Sequence, residues 1–287
     1  MARNKYGLSR TIPEPVKRKV RQNSGFGCIF CGIWIYQYEH FNPDFKDAAT
    51  HNPTRICLLC GTDHQIVTSK LITKKQVEDQ YKKPIALSRG YANAFLRLNT
   101  RFYVALGRIF FTETGELLKV EGKPLLSISQ PTKDEPLKLN AKFYDDKSNL
   151  ILEIKNNELR GFTSSWDIEQ TGTRTTIRRN QREIVLQINI IPPDVIEIER
   201  INMRYGSSKI FTNSETGRIY IQSKNGAIID LFKSQIITKG LNIGDEGIQL
   251  DGTSMIGVQE GLEFDKMDYR DFIDKKQLHS KAKNREY

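Results

Sequence analysis

The sequence predicts an α+β protein in which a small, cysteine-containing N-terminal module precedes an all-β domain. All four cysteines lie within 33 residues near the N-terminus, and none occurs in the 227 residues after them. Residues 1–110 hold 18 Lys and Arg against 7 Asp and Glu, whereas the rest of the chain holds 26 against 27. From about residue 102 onward, apolar and polar residues alternate in short runs separated by turn residues, a pattern typical of strands.

A length of 287 residues favours two domains. The strand-rich part fits a sandwich, a barrel or a short β-solenoid, and the pattern does not choose among them. The predicted divisions are an N-terminal module over 1–83, a connector of helical character over 84–110, a β-rich domain over 111–263 and a charged tail over 264–287, which is expected to be a helix or a frayed end.

Within the N-terminal module the local patterns predict short elements. Prolines at the start of residues 12–22, with Val16 and Val20 four apart, favour a short basic helix. β-Branched and aromatic residues make IWIYQYEHF a strand or extended segment. The segment after ICLLC is predicted to be helical with a break around Thr68. Two short β elements closed by a helix are therefore expected over residues 25–83.

Several classes of protein are disfavoured by composition. The sequence contains no run of about 18 apolar residues, so no transmembrane helix is expected. Residues 1–19 lack the apolar core of a secretory signal, so a cytoplasmic protein without membrane contact is expected. The basic excess in the first two-fifths favours binding to a polyanion through counterion release, although an ordinary basic, soluble surface would show the same excess.

The cysteine spacing is that of metal ligands. Cys28 and Cys31 form one Cys-x-x-Cys pair, and 25 residues later Cys57 and Cys60 form a second. Two such pairs in a chain without other cysteines predict a structural zinc site, the alternative being buried free thiols. Because a module of this size buries little apolar surface, the metal would supply much of its stability.

Histidines concentrate in the same window. Only four occur in the chain, and three of them, His40, His51 and His64, lie between residues 40 and 64. Glu39 directly precedes His40. A histidine is the side chain whose pKa suits a general base near neutral pH, and a carboxylate with an imidazole leaves coordination positions open on a divalent cation.

Residues 12–83, about a quarter of the chain, resemble the HNH or ββα-metal nucleases. The resemblance lies in CIFCGIWIYQYEHFNPDFKDAATHNPTRICLLCGTDHQIVTSK, with its CxxC, YEH and LLCxxxH pieces. It implies a zinc-stapled ββα frame. It also implies that His40 is the general base activating water, and that Glu39 and His64 bind the catalytic cation, Mg²⁺ or Mn²⁺.

Two positions differ from the family pattern and leave alternatives open. The second half of the zinc site is formed either by Cys60 with Asp63, or with Cys57 in the place of Asp63. The middle asparagine of the family aligns with Arg55. Either Asn52, three residues earlier, takes its orienting role, or Arg55 contacts phosphate instead.

The function predicted from these residues is that of a metal-dependent endonuclease hydrolysing DNA. Lys and Arg within residues 10–22 and 70–83 are expected to bind phosphates. Family association implies a restriction or antiphage setting. The alternative is a non-catalytic zinc module that binds nucleic acid. The presence of both His40 and His64 favours the enzyme, since a pure binder needs neither.

The nearly neutral β-rich half is not expected to be the main DNA-binding surface. It is instead a candidate for recognising a modified base, a partner protein or a trigger molecule, or for homo-oligomerisation. The residues considered for such a surface, with ordinary strand positions as the alternative, are Trp166, Arg174, Arg178, Arg179 and Tyr205.

Overall fold

The computed structural model is mixed α+β and mostly β. It describes residues 3–97, 102–111, 114–130, 132, 135–192, 195–231, 235–238, 240–245, 247–251 and 254–256. Within these ranges the helices are short: α1 (Glu14–Asn23), α2 (Gly61–Thr68), α3 (Lys74–Tyr81), α4 (Ile85–Arg89) and a 3₁₀ turn over Phe45–Asp47. None of them is long and apolar enough to cross a membrane.

A two-stranded antiparallel sheet lies at the centre of the N-terminal part. It consists of β1 (Gln37–His40) and β2 (Ile56–Leu59). All four residues of β2 are buried because both of its faces are covered. Ile56 and Leu58 pack with Val20 of α1, while Cys57 and Leu59 lie in the cluster that contains residues of α2 and α3. The wholly apolar ICLL therefore suits its position between helices.

The helical segment after β2 breaks where the sequence predicts. Helix α2 ends at Thr68, and Lys70 adopts a left-handed φ of 63°. Helix α3 then starts with a capping box, in which Thr73 accepts from the Gln76 amide while the Gln76 side chain accepts from the Thr73 amide. Two helices with a turn between them are the result.

The expectation of a helical connector over residues 84–110 is wrong. Among its described residues, 84–97 and 102–110, the one helix is the short α4, and it is followed by β3 (Tyr91–Phe95), β4 (Tyr103–Leu106) and β5 (Ile109–Phe111). Strand β3 pairs with a strand some 65 residues later, with Phe95 opposite Glu158. Ala92, Ala94 and Leu96 recur every second residue, the strand period, and partners distant in sequence supply the pairing that fixes them.

The remaining strands form the β-rich part of the described chain. In order they are β6 (Gly115–Val120), β7 (Lys123–Ser129), β8 (Lys138–Tyr144), β9 (Leu150–Lys155), β10 (Glu158–Phe162), β11 (Asp167–Thr171), β12 (Arg174–Arg178), β13 (Ile184–Ile191), β14 (Val195–Tyr205), β15 (Ser208–Thr212), β16 (Ile219–Gln222), β17 (Ile228–Asp230), β18 (Gln235–Thr238), β19 (Gly240–Gly244), β20 (Gly247–Asp251) and β21 (Ser254–Ile256).

Two large sheets organise these strands. An eight-stranded sheet has the order β20-β19-β6-β7-β8-β9-β10-β3. An eleven-stranded sheet runs β11-β12-β13-β14-β4-β5-β18-β21, with β15 paired to β14, β16 to β15 and β17 to β16. Most pairs are antiparallel, but β4–β14, β5–β18 and β6–β19 are parallel. One hydrophobic core holds residues of both sheets, such as Leu152 and Leu186. The β-rich part is therefore built from two large sheets that share one core.

The chain divides into two units, residues 1–256 and 257–287. The charged tail predicted over 264–287 belongs to the second unit and lies outside the described residues.

The N-terminal part packs directly on the sheets. Phe26, Trp34 and Ala86 belong to the same core as the large sheets. The Trp34 ring lies over Gly161 of β10, where a Cβ atom would come within 2.8 Å of both Trp34 Cζ3 and Ile168 Cδ1. A side chain at residue 161 is therefore incompatible with the position of Trp34.

Gly161→Ala is expected to lower the free energy of unfolding by about 1–3 kcal/mol, because overpacking forces the indole out of place. Urea unfolding followed by tryptophan fluorescence measures the change. Gly244→Ala is the matched control, since no heavy atom lies within 4 Å of a Cβ built there. Equal effects of the two substitutions would contradict the close approach of Trp34.

Candidate functional site

The first cysteine pair lies on a tight turn. The Gly32 amide donates to the Cys28 carbonyl (2.7 Å), and the Cys28 amide donates to the Ile33 carbonyl (2.9 Å). Gly32 has a φ of 76°, a left-handed conformation that costs glycine little. This turn reverses the chain immediately after Cys31, so that both thiols of the pair reach the same cluster.

The second half of the cluster comes from the start of α2. Cys60 is the N-cap residue, and its Sγ accepts from the Asp63 amide. The Asp63 carboxylate lies beside it, with Oδ2 3.1 Å from Cys60 Sγ and 3.0 Å from Cys28 Sγ. Cys31 Sγ is 3.8 Å from Cys60 Sγ. Four ligand atoms, three sulfurs and one oxygen, thus lie within 4.8 Å of one another and can hold a metal ion.

Asp63, and not Cys57, completes this group. Cys57 lies on β2, fully buried with Val67 and Val77, and burial raises the pKa of its thiol. The physical reason is the change from strand to helix at Cys60. Three residues along a strand span about 10 Å, whereas Cys60 and Asp63 are neighbours in the first turn of α2.

A second polar group surrounds Glu39. This residue on β1 faces α2, where His64 Nε2 lies 3.2 Å from Glu39 Oε2. The other carboxylate oxygen accepts from Lys74 of α3, whose ammonium also pairs with Asp44 at 3.1 Å. Lys74 further donates to the His40 carbonyl (3.0 Å). The sequence pointed to Lys74 only as one of several lysines. Nothing in the spacing of the chain marks its contact with Glu39.

His40 lies on the other face of β1, as expected for the residue after Glu39. It is 9% exposed and makes an edge contact with the Phe45 ring. Its Nε2 lies 3.2 Å from Nδ1 of His51. Burial lowers the pKa of His40 to about 4, with His51 and Lys74 adding to the effect. His40 is therefore neutral at pH 7, the form in which an imidazole can accept a proton.

Asn52 does not orient His40 in this structure. Its Oδ1 accepts from the amide and the hydroxyl of Thr54, at 2.9 and 2.8 Å, and so forms an Asx turn. Arg55 pairs with Glu78 at 3.2 Å. The side chain within hydrogen-bond distance of the His40 ring is that of His51, the residue before Asn52.

Beside strand β1 lies an open groove of about 1040 Å³. Glu39, His40 and His64 line it. Basic side chains outnumber acidic ones around it, with Glu39 and Asp44 set against Arg10, Lys17, Lys46, Lys70 and Lys74. The Arg10 guanidinium lies over the Phe45 ring at 4.9 Å. Such a groove favours an anionic ligand.

The β-domain residues considered for a recognition surface do not form one patch. Trp166, Arg178 and Arg179 line a second pocket of about 660 Å³. Arg179 is paired with Asp146 and Glu183. The other two residues lie in separate contacts, Arg174 with Glu199 at 2.6 Å and Tyr205 against Tyr144 at 5.1 Å between ring centroids.

Helix α2 connects the two polar groups. Asp63 belongs to the cysteine cluster, and the next residue, His64, faces Glu39. A metal ion held by the cysteines would therefore also fix the start of the helix that places His64. No family model, curated protein or solved structure matches this chain.

Proposed function

We propose that this protein is a metal-dependent endonuclease that hydrolyses DNA phosphodiester bonds. The observation that carries the proposal is the convergence of Glu39 and His64, 3.2 Å apart, in a basic groove that His40 also lines. Phosphodiester hydrolysis needs a base to activate water and positive charge at the phosphate. The groove offers a neutral imidazole for the first need.

Glu39 and His64 are the residues that would hold a divalent cation, Mg²⁺ or Mn²⁺. One carboxylate and one imidazole leave most coordination positions open for phosphate and water. When bound, such a cation supplies charge neutralisation at the scissile phosphate. His40, which lines the same groove, would take the proton of the attacking water.

The cysteine cluster is proposed to bind structural zinc. Thiolate-rich, four-ligand sets favour Zn²⁺. In a tetrahedral site with Zn–S bonds of 2.3 Å, two sulfurs lie about 3.8 Å apart, and Cys31 Sγ and Cys60 Sγ are separated by 3.8 Å. Asp63 Oδ2, at about 3 Å from two sulfurs, would have to move outward by about 0.5 Å to take the fourth position.

The basic side chains are proposed to bind the DNA backbone. Arg10, Lys17 and Lys70 line the groove, within the two basic segments expected to contact phosphates. Such contacts bind without reading base sequence.

One observation favours a second candidate, a zinc module that binds nucleic acid without cleaving it. The Lys74 ammonium pairs with Glu39, the carboxylate that a catalytic cation would need. An enzyme requires the cation to compete with Lys74 for this carboxylate, whereas a binding module does not.

His40→Ala is expected to lower the rate of supercoiled-plasmid nicking about 10²- to 10⁴-fold, because it removes the general base. Cleavage is measured with purified protein in Mg²⁺ or Mn²⁺ and is expected to stop in EDTA. Arg174→Ala is the matched control, since it alters an exposed ion pair with Glu199 on the β sheets.

Two outcomes would count against the nuclease. Undiminished nicking by His40→Ala would remove His40 from the chemistry. A wild-type protein that retards DNA in a gel but cuts it with neither cation would favour the binding module.

A further inference from the structure

His51 has no part in the function proposed above, yet among the described residues it makes the one hydrogen bond to the imidazole of His40. His40 Nε2 lies 3.2 Å from His51 Nδ1. On the far side of the same ring, His51 Nε2 lies 2.9 Å from the Ser9 carbonyl oxygen. A chain of two imidazoles thus ends on the backbone.

The Ser9 carbonyl oxygen at the end of this series sets the donor-to-acceptor direction of both hydrogen bonds. A carbonyl oxygen only accepts, so His51 Nε2 must carry a proton. In a neutral imidazole the other nitrogen is then an acceptor, so His51 Nδ1 accepts from His40. His40 Nε2 therefore carries the proton of that ring. By elimination, the lone pair of His40 is on Nδ1.

The remaining nitrogen, His40 Nδ1, is left without a hydrogen-bond partner among the described residues. In that part of the chain, Ser165 Oγ is the one fully buried side-chain nitrogen or oxygen without a partner. His40 Nδ1 is therefore not fully buried, and the residue lines the same groove as Glu39. A lone pair at this atom can reach a water molecule bound there.

We propose that His51 is a positioning residue that holds His40 in the Nε2–H tautomer and so presents Nδ1 as the general base. This inference rests on the proposed nuclease function for its catalytic meaning. Phe45 supports the arrangement from the side, because its ring stacks on His51 at 6.4 Å and contacts the edge of His40 at 5.4 Å. Because His51 Nε2 bonds a backbone carbonyl, the direction of the two hydrogen bonds does not depend on any other side chain.

The tautomer can be measured without any cleavage. The protein contains four histidines, so long-range ¹H–¹⁵N correlation spectra of uniformly labelled protein hold four imidazoles. In the wild type we expect His40 and His51 both in the Nε2–H form. His51→Ala is expected to let His40 exchange between tautomers, which moves its two nitrogen shifts toward each other. His51→Gln is expected to restore the wild-type pattern, because the amide oxygen accepts and the amide nitrogen donates.

Cleavage kinetics provide the second readout. His51→Ala is expected to lower kcat about 10- to 100-fold, the usual cost of losing a residue that orients a catalytic group. KM for DNA is expected to stay within about 2-fold, because His51 binds no phosphate in this proposal. His51→Gln is expected to recover most of kcat, whereas a purely structural role would give no such rescue.

The failures of the two proposals are distinguishable. A wild-type protein that cuts no DNA overturns the nuclease, but its spectra still decide the tautomer of His40. An Nδ1–H tautomer of His40 in the wild type, or an unchanged tautomer in His51→Ala, overturns the role of His51. If His51→Ala does not fold, His51→Gln, which keeps both hydrogen bonds, is compared with His51→Asn, whose shorter side chain cannot span them.

Discussion

Asp167→Asn is expected to lower the free energy of unfolding by about 1.5–3 kcal/mol, because it removes the buried carboxylate that pairs with Arg21 and leaves the half-exposed Glu14 as its nearest counter-charge. Arg21 and Asp167 have 1% and 0% of their side chains exposed. Arg21 Nε donates to Asp167 Oδ1 at 2.8 Å and Nη2 to Oδ2 at 2.6 Å, a bidentate pair. Burial alone would lower the pKa of Arg21, but the hydrogen bonds to Asp167 raise it above its ordinary value. Chemical denaturation monitored by circular dichroism measures the loss.

An exposed bidentate pair on the same chain is the matched control. Arg174 bonds Glu199 through Nε and Nη2, both at 2.6 Å, but its side chain is 48% exposed. Arg174→Ala is expected to cost less than about 1 kcal/mol, since solvent screens the pair. The burial argument fails if the two substitutions cost the same.

The Arg21–Asp167 pair also connects the two parts of the molecule. Arg21 lies on α1 and Asp167 at the start of β11. Arg21 Nη1 also donates to the Tyr38 hydroxyl at 3.1 Å, and Tyr38 directly precedes Glu39 on β1. Loss of the pair is therefore expected to disturb the strand that carries Glu39 and His40.

Loss of the zinc ion proposed for the cysteine cluster is expected to destabilise the N-terminal part strongly. Structural zinc contributes about 10–16 kcal/mol of apparent binding free energy in small domains, and this energy is coupled to folding. Cys60→Ser is expected to abolish stoichiometric zinc, because Cys60 contacts both Cys31 and Asp63 in the cluster. Elemental analysis of purified protein and thermal melts with and without a chelator measure the effect.

Cys57→Ala is the matched control for the metal prediction. Cys57 belongs to the second Cys-x-x-Cys pair in sequence, but it lies in the apolar cluster with Val67 and Val77. The variant is expected to keep one zinc per chain while losing some stability to the cavity. Equal loss of zinc from Cys57→Ala and Cys60→Ser would show that Asp63 is not the fourth ligand.

Patterns that depend on near neighbours predicted structure correctly. The helix over residues 14–23 follows from its prolines and the spacing of Val16 and Val20. The break between α2 and α3 follows from local turn and capping chemistry around Thr73. The grouping of Cys28 and Cys31 follows from the tight turn at Gly32. In each case the interacting residues lie within a few positions of one another.

Patterns that depend on partners distant in sequence did not predict the structure correctly. Residues 84–110 mix apolar and basic residues. Their strands β3 and β4 are fixed by pairing with the distant strands β10 and β14. Asn52, one of the two alternatives for the middle asparagine of the family, forms an Asx turn with Thr54, and His51 lies beside His40. Lys74 reaches Glu39 from 35 positions away.

Local patterns are sufficient to predict the mostly β character of the chain and to single out the cysteine pairs and the polar residues near them. These follow from periodicity and spacing, which are local properties. Packing between distant segments brings Asp63 to the cysteines, Glu39 to His64 and His51 to His40. Those contacts depend on how strands and helices pack, because a side chain's neighbours across a fold are set by register and burial and not by its place along the chain.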